Sequence, residues 1–308
     1  MKILIFGASG FIGSHLSNKL SKIHNVTCVC RYSKISKKIN KLDFFKNKSI
    51  NTIYTDDLFN ENFINNLLNN KYDIIFNCIS YGVNIKDTNE NLANQINVKL
   101  NLFLMNQAEI AGIKYFINFG SSQEYGVIEK GFSEKSSLKP TCVYGKSKAI
   151  SSEKSIELSE KISMKYFILR IFSIFGPYEY DNKFFPLIIK ALRYKKNIAL
   201  TGGLQFRNYL YIDDFCKIIE KFISNIDLLK DRVYNINHDE SNTLRFYADT
   251  ISKTLDLDSN FLLWGKLKYR ENEIFENYIP KSKLLETIKY NNFRSLSDGI
   301  LKVNKHLL

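Results

Sequence analysis

The chain has 308 residues, 44% of them hydrophobic and 24% charged, with a formal net charge of +13. That length allows a sizeable core, and no apolar run approaches the ~20 residues of a membrane span. The positive charge follows a general richness in lysine and accompanies no nucleic-acid motif, so no nucleic-acid partner is expected. An odd, scattered set of five cysteines (28, 30, 78, 142 and 216) suits a reducing compartment better than a disulfide framework. Cys28-x-Cys30 lacks the spacing of a zinc knuckle, and no metal site is expected.

Taken in order, the chain opens with a short apolar run, Lys2–Phe6, followed by Gly7-Ala-Ser9-Gly10-Phe11-Ile12-Gly13. The run is too short for the core of a signal peptide, and a cytoplasmic protein is expected. Phe11, Ile12, Leu16, Leu20 and Ile23 then recur at helical spacing. Strand, glycine turn and helix in this order make a dinucleotide site: glycine lets the backbone approach a pyrophosphate, which the helix N-terminus attracts. Val26–Cys30 reads as a second strand. An acid at its end would hydrogen-bond the 2′-hydroxyl of an adenosine ribose; here Cys30 and Arg31 stand there, followed by Ser33 and Lys34, which favours NADP(H) over NAD(H).

Further strands are predicted at Ile50–Thr55, Asp73–Ile79, Lys114–Phe119 and Lys165–Phe172, with helices at Asn60–Asn69, Asn89–Ala111 and Tyr144–Ile162. Continuous apolar strands alternating with helices predict an α/β fold, a Rossmann-type doubly wound parallel sheet with its ligands at the carboxyl ends of the strands. Gly7, Arg31, Ser80 and Ser121 all fall at such ends. After about residue 174 the segments become short and mixed. Helices are predicted at Phe184–Leu192, Asp213–Ile223, Thr243–Leu255, Lys281–Thr287 and Leu296–Val303, with a strand at Val233–Ile236. The expected division is a dinucleotide domain, residues 1–173, and a smaller mixed α/β substrate-binding part, residues 174–308, interleaved with it.

The candidate chemistry lies in Tyr144-Gly-Lys-Ser-Lys148 and Ser121. In a chain so rich in tyrosine and lysine, Tyr-x-x-x-Lys arises by chance, and only its place after the fifth strand gives it meaning. On a helix the two side chains share a face. A tyrosine hydroxyl titrates near ~10, so acid–base work near neutrality needs its phenolate favoured, and the Lys148 ammonium is expected to do this. Ser121 is expected to hydrogen-bond the reacting oxygen, while the cofactor carries the hydride.

These motifs together resemble the extended short-chain dehydrogenase/reductase superfamily, in particular its nucleotide-sugar epimerase/dehydratase/reductase family. Gly7-x-x-Gly10-x-x-Gly13, Asp57-Leu58, Gly120-Ser-Ser-Gln-Glu-Tyr-Gly126, Tyr144-x-x-x-Lys148, Leu169–Pro177, Arg207–Asp214 and Tyr269-Arg270-Glu271-Asn-Glu273 carry the resemblance, which spans nearly the whole chain. It implies a catalytic set of Ser121, Tyr144 and Lys148. It implies cofactor contacts from Gly7, Ser9, Gly10, Phe11, Ile12, Gly13, Arg31, Asp57, Leu58, Cys78, Ser80, Tyr144, Lys148 and Phe172. It also implies contacts to a nucleotide-sugar substrate from Tyr81, Ser122, Gln123, Lys183, Phe184, Arg207 and Arg270, with Arg207 and Arg270 on its diphosphate.

Departures from the family pattern narrow the expected reaction. The 4,6-dehydratases follow the catalytic residue with Asp-Glu, where this chain has Ser122-Gln123. The 3,5-epimerase-reductases that make GDP-fucose carry Cys at the Gln123 position and His near Lys183. The freely reversing 4-epimerases usually place Asp at the Cys30 position. The expectation is therefore an NADPH-dependent 4-reductase of a nucleotide-linked 4-keto-6-deoxy sugar, similar to the CDP-abequose and CDP-paratose type. A 4-epimerase is the alternative, ahead of a non-catalytic dinucleotide sensor or an RNA-binding relative. Family resemblance further implies a homodimer through helices 89–111 and 144–162.

Overall fold

The computed structural model describes residues 1–31, 50–83, 87–126, 133–271, 273, 275, 280 and 282–308. Seven strands form a parallel sheet. In chain order they are β1 (Lys2–Phe6), β2 (Asn25–Cys30), β3 (Asn51–Tyr54), β4 (Ile74–Asn77), β5 (Tyr115–Ser121), β6 (Lys165–Ile171) and, much later, Val233–Ile236. The spatial order runs from 233–236 through β6, β5, β4, β1 and β2 to β3. The Rossmann-type expectation is met.

The strands are legible because both their faces are covered. Every residue of β4 and β5 is buried, as are Ile3 to Phe6 of β1. Burying an aliphatic or aromatic side chain of this kind contributes roughly 1.5–3 kcal/mol. The core on one side joins Leu4, Phe6, Val29, Ile75 and Phe116 of the sheet to Ile64, Leu67, Leu104 and Ala108 of the flanking helices. β1 lies between β2 and β4, pairing Phe6 with both Val29 and Asn77. This is where the strand order reverses, the place at which open α/β sheets bind ligands.

Before the helix that carries Tyr144 come α1 (Phe11–Leu20), α2 (Glu61–Leu68) and the segment Glu90–Ile110. α2 starts where Asn60 accepts a hydrogen bond from the Phe63 N–H, an N-cap. The segment Glu90–Ile110, expected as one α-helix, contains a π-helical stretch, Asn94–Lys99, between α3 (Glu90–Ala93) and α4 (Leu100–Ile110). A polar side chain inside it is buried and bonded. Asn97 is 2% exposed, accepts from the Tyr81 N–H (2.9 Å), and donates to the Tyr81 carbonyl and to Ser147 Oγ (2.8 Å each). The helix α5 (Val143–Ser159) turns a serine face inward: Ser147, Ser151, Ser152, Ser155 and Ser159 are buried.

Two compact units divide the chain. One comprises residues 1–126, 134–171 and 222–235; the other comprises 127–133, 172–221 and 236–308. The second unit is built from very short strands. β7 (Ser173–Phe175) pairs in parallel with Tyr209–Tyr211, and Phe206–Arg207 pairs antiparallel with Asn242–Thr243. Its aromatic centre stacks Phe175 on Phe185 (4.0 Å between ring centres) and sets Phe185 and Tyr247 edge-on to Tyr209 at 5.0 Å. Among the described residues no helix is long and apolar enough to cross a membrane.

Candidate active site

The carboxyl ends of β1, β2, β4 and β5 lie on one edge of the sheet and bring Gly7, Arg31, Ser80 and Ser121 there. Gly7 has φ +74°, and a Cβ on it would meet the backbone of Cys78 and Ile79 at 3.0 Å. At Gly13 a Cβ would stand 2.4 Å from the Gly7 carbonyl oxygen. These glycines fold the turn tightly against α1. Gly10 caps α1 and has no side chain to bond its first-turn N–H groups, those of Phe11, Ile12 and Gly13. That bare helix end and close-approach turn fit the pyrophosphate of a nicotinamide dinucleotide.

Ser121 ends β5, and Tyr144 is the second residue of α5, in its first turn. The Tyr144 hydroxyl shares hydrogen bonds with the side chains of Ser80 and Ser121. Gly82, with φ +96°, packs so closely on Tyr144 that a Cβ there would come within 3.3 Å of the Tyr144 Cβ. Gly145 is equally constrained: a Cβ would stand 2.4 Å from the Gln123 carbonyl oxygen. Lys148 follows one turn later, 2% exposed, and donates from Nζ to the Phe119 carbonyl at 2.8 Å.

The electrostatics differ from the sequence expectation. Burial pushes the Tyr144 hydroxyl above the ordinary phenol value, the Ser80 and Ser121 hydrogen bonds pull it down, and the charges of Glu124 and Cys142 add to the rise. The expected lowering by Lys148 does not prevail, because desolvation of a phenolate dominates. Burial also lowers Lys148 to about 8, partly offset by Glu124 and Cys78.

Sequence reasoning gave no role to Glu124 or Arg170, and the structure places both directly behind Ser121. Glu124 is fully buried. It accepts from the Ser121 N–H (2.7 Å), Ser152 Oγ (2.7 Å) and Arg170 Nε (2.8 Å). Arg170 also donates to the Tyr125 hydroxyl (3.0 Å), which donates to Asn235 Oδ1 (2.7 Å). A signal existed: Ser121-x-x-Glu124 has the capping-box spacing.

Other predicted residues fall in varied settings. Gln123 is exposed and accepts from the Cys142 thiol at 2.9 Å. Ser122 lies in the short turn after β5, and Tyr81 is bound to Asn97. Ser9, Phe11 and Ile12 are half-buried in the glycine turn and first turn of α1. Cys30 is 1% exposed at the end of β2, its thiol pushed to about 12 by burial, and Arg31 is exposed. Ser33 and Lys34 lie outside the described residues. Asp57 accepts from the Phe59 N–H, and Leu58 packs against the core. Cys78 donates its N–H to Phe6 at the end of β1.

In the second unit, Phe172 precedes β7 and hydrogen-bonds the Ile236 carbonyl. Lys183 stands at the N-terminus of the helix Phe184–Arg193, and the Phe184 ring stacks on Tyr209 at 6.1 Å. Arg207 pairs with Glu273 (2.9 Å), whereas Arg270 is exposed. Glu179 carries a buried Oε2 with no hydrogen-bond partner among the described residues, and burial raises its carboxyl to about 8 against the pull of Lys183.

Residues 3–237 match the model of the NAD dependent epimerase/dehydratase family. The chain belongs to that family. Its relatives are nucleotide-sugar dehydratases and epimerases of the extended short-chain dehydrogenase/reductase type. A dTDP-D-glucose 4,6-dehydratase of Dictyostelium discoideum is 28% identical over 77% of this chain, which spans 58% of that protein. An uncharacterized UDP-glucose epimerase of Bacillus subtilis is 25% identical, covering 97% of this chain and 96% of its own length. Among solved structures, the UDP-N-acetylglucosamine 4-epimerase of Methanobrevibacter ruminantium, in complex with UDP-N-acetylmuramic acid, superimposes with a TM-score of 0.87 at 23% identity. That match covers 99% of this chain and 97% of the other. A UDP-glucuronic acid 4-epimerase of Bacillus cereus with NAD bound gives 0.85 at 23% identity, covering 100% and 99%. For this family member the structural matches establish the fold.

Proposed function

We propose that the protein reduces the 4-keto group of a nucleotide-diphospho-4-keto-6-deoxy sugar with NADPH. The observation that carries the reading is the hydrogen-bonded set Ser80, Ser121 and Tyr144, with buried Lys148 behind it, at the same sheet edge as the glycine turn. It provides one proton-handling group. Removing water from a sugar needs a further acid and base, and the neighbouring Ser122 and Gln123 are neutral. A single hydride and a single proton exchanged at one carbon are what this set can manage.

The Gly7–Gly13 turn, Asp57, Leu58, Cys78 and Ser80 hold the dinucleotide, with Phe172 as a further contact. When bound, it supplies the hydride for carbon 4. Tyr144 gives its proton to the oxygen on that carbon, Ser121 holds this oxygen by a hydrogen bond, and the Lys148 ammonium stabilises the phenolate left behind. Arg207 and Arg270 bind the diphosphate, and Tyr81, Ser122, Gln123, Lys183 and Phe184 contact the sugar nucleotide. Buried Cys30 and exposed Arg31 favour NADPH, since neither brings a carboxylate that would repel a 2′-phosphate. Helices 90–110 and 143–159, which expose Ile110 and Ile150, form the face of a homodimer on this reading, which light scattering tests.

NADPH oxidation against CDP-, dTDP- and GDP-linked 4-keto-6-deoxy sugars tests the proposal, and no oxidation with any of them sinks it. A second reading, a 4-epimerase, is favoured by the near-full-length similarity to UDP-sugar 4-epimerases. It predicts NAD retained through purification and interconversion of UDP-glucose with UDP-galactose.

A further inference from the structure

Ser121 is held by more than the strand it ends. Its hydroxyl oxygen accepts the Gln123 N–H at 3.2 Å, while its own N–H is held by Glu124 Oε1 at 2.7 Å, a reciprocal capping box around one short turn. Accepting from Gln123 fixes the side-chain rotamer and leaves the hydroxyl proton to donate. Capping boxes ordinarily satisfy two free N–H groups at a helix N-terminus. This one is buried, and Glu124 is clamped from the far side by Arg170, 3% exposed, and Ser152, 1% exposed. Even Gly120 is shaped to it: a Cβ there would meet Glu124 Oε1 at 2.5 Å.

We propose that Glu124, locked by Arg170 and Ser152, is a positioning residue that fixes the backbone and hydroxyl of Ser121 for proton handling beside Tyr144. A three-residue turn needs no buried ion pair to form, and isolated buried pairs of this kind are commonly no more stabilising than apolar residues of the same volume. What the pair adds here is a fixed place for Ser121. Glu124 acts through Ser121 and touches no reacting atom. The inference rests on the catalytic role proposed for Ser121 above.

A double-mutant cycle tests it, with turnover followed as NADPH oxidation by the keto-sugar panel and as interconversion of UDP-glucose with UDP-galactose. Glu124→Asp keeps the charge opposite Arg170 and withdraws the carboxylate from the Ser121 N–H. Glu124→Met/Arg170→Met replaces the pair with apolar side chains and guards against an unfolded single variant. Both are assayed well below their melting temperatures, with NADPH affinity read from nicotinamide fluorescence. Expected is a loss of kcat on the order of tenfold to a hundredfold, the scale of an ångström misplacement, with KM and NADPH affinity within about twofold. In a Ser121→Ala background the same Glu124→Asp change should cost less than about twofold, because the side chain it positions is gone. Wild-type kcat in either Glu124 variant overturns the inference, as do losses that simply multiply with that of Ser121→Ala. Should Ser121→Ala itself turn over like the wild type, the catalytic reading fails and takes this inference with it. If only Ser121→Ala is impaired, the catalytic reading stands and the inference falls.

Discussion

Two glutamates, one fully buried in the first unit and one half-buried in the second, are handled in opposite ways. Glu124 is fully buried and has a donor on each oxygen: the Ser121 N–H on one, Ser152 and Arg170 on the other. Glu179 has a buried oxygen with no partner among the described residues, and its carboxyl is raised to about 8. A satisfied carboxylate is a rigid part, because every departure breaks a charge-assisted bond. An unsatisfied one is costly in the free protein and is ready for a group brought by a ligand. On the proposed function, this contrast goes with geometry and turnover in the first unit and recognition in the second.

The sharpest break of this division comes from Tyr144→Phe. It removes the proton donor and none of the glycine-turn contacts. Turnover should fall by roughly 10²–10⁴, the span of general acid catalysis, while dinucleotide affinity stays within about twofold in a fluorescence titration. Activity near wild type would end the assignment of chemistry to the first unit. In the second unit, Arg207→Ala should act on KM, raising it about tenfold or more with kcat little changed, since a diphosphate contact serves ground and transition states alike. A drop in kcat with unchanged KM would place Arg207 on the wrong side of the comparison.

The pH profile sharpens the first region. Lys148 is lowered to about 8 by burial, with Glu124 and Cys78 raising it, and Tyr144, Cys142 and Arg170 are the other titratable groups around this site. The useful form of Lys148 is the ammonium, so kcat/KM should fall as pH rises through about 8 and hold steady below it down to neutrality. A profile flat to pH 10 would remove Lys148 from the proton chemistry.

How much of this was readable beforehand follows the physics of each segment. β1, β4 and β5 were legible because buried parallel strands are mostly apolar, and Gly7 and Gly13 because the turn against α1 tolerates nothing larger there. Tyr144 and Lys148 gained their meaning from that frame. The inward face of α5 was invisible to hydrophobic periodicity, being made of serines that bond to Asn97, Asn101 and Glu124. Nor did sequence reveal the π-helical stretch 94–99, which no local propensity specifies. In the second unit, strands such as Phe206–Arg207 exist only through their partners. Glu124 could have been seen in its Ser-x-x-Glu spacing, but Glu179 had no such signal, since its burial depends on how the loop after Gly176-Pro177 is packed.

Glu179 supplies the smallest effect, and one that needs no substrate. Its ordinary value is 4.5 and its folded value about 8. Between these, the unfolded chain gives up the proton and the folded chain keeps it, so the folded state binds more protons and stability falls as pH rises across the window. Below 4.5 both states are protonated and the group contributes nothing; above about 8 the loss is complete. Glu179→Gln removes this linkage while keeping shape and one carbonyl oxygen. Its melting temperature should match the wild type near pH 4.5 and exceed it increasingly toward pH 8. Because the residue is only half-buried as a whole, the gain should be about 1–2 kcal/mol, or about 2–4 °C for a chain of this size, rather than the several kcal/mol of an unscreened shift. A difference that does not change with pH would show Glu179 ionised like a surface carboxylate, and the contrast with Glu124 would reduce to one of hydrogen bonding alone.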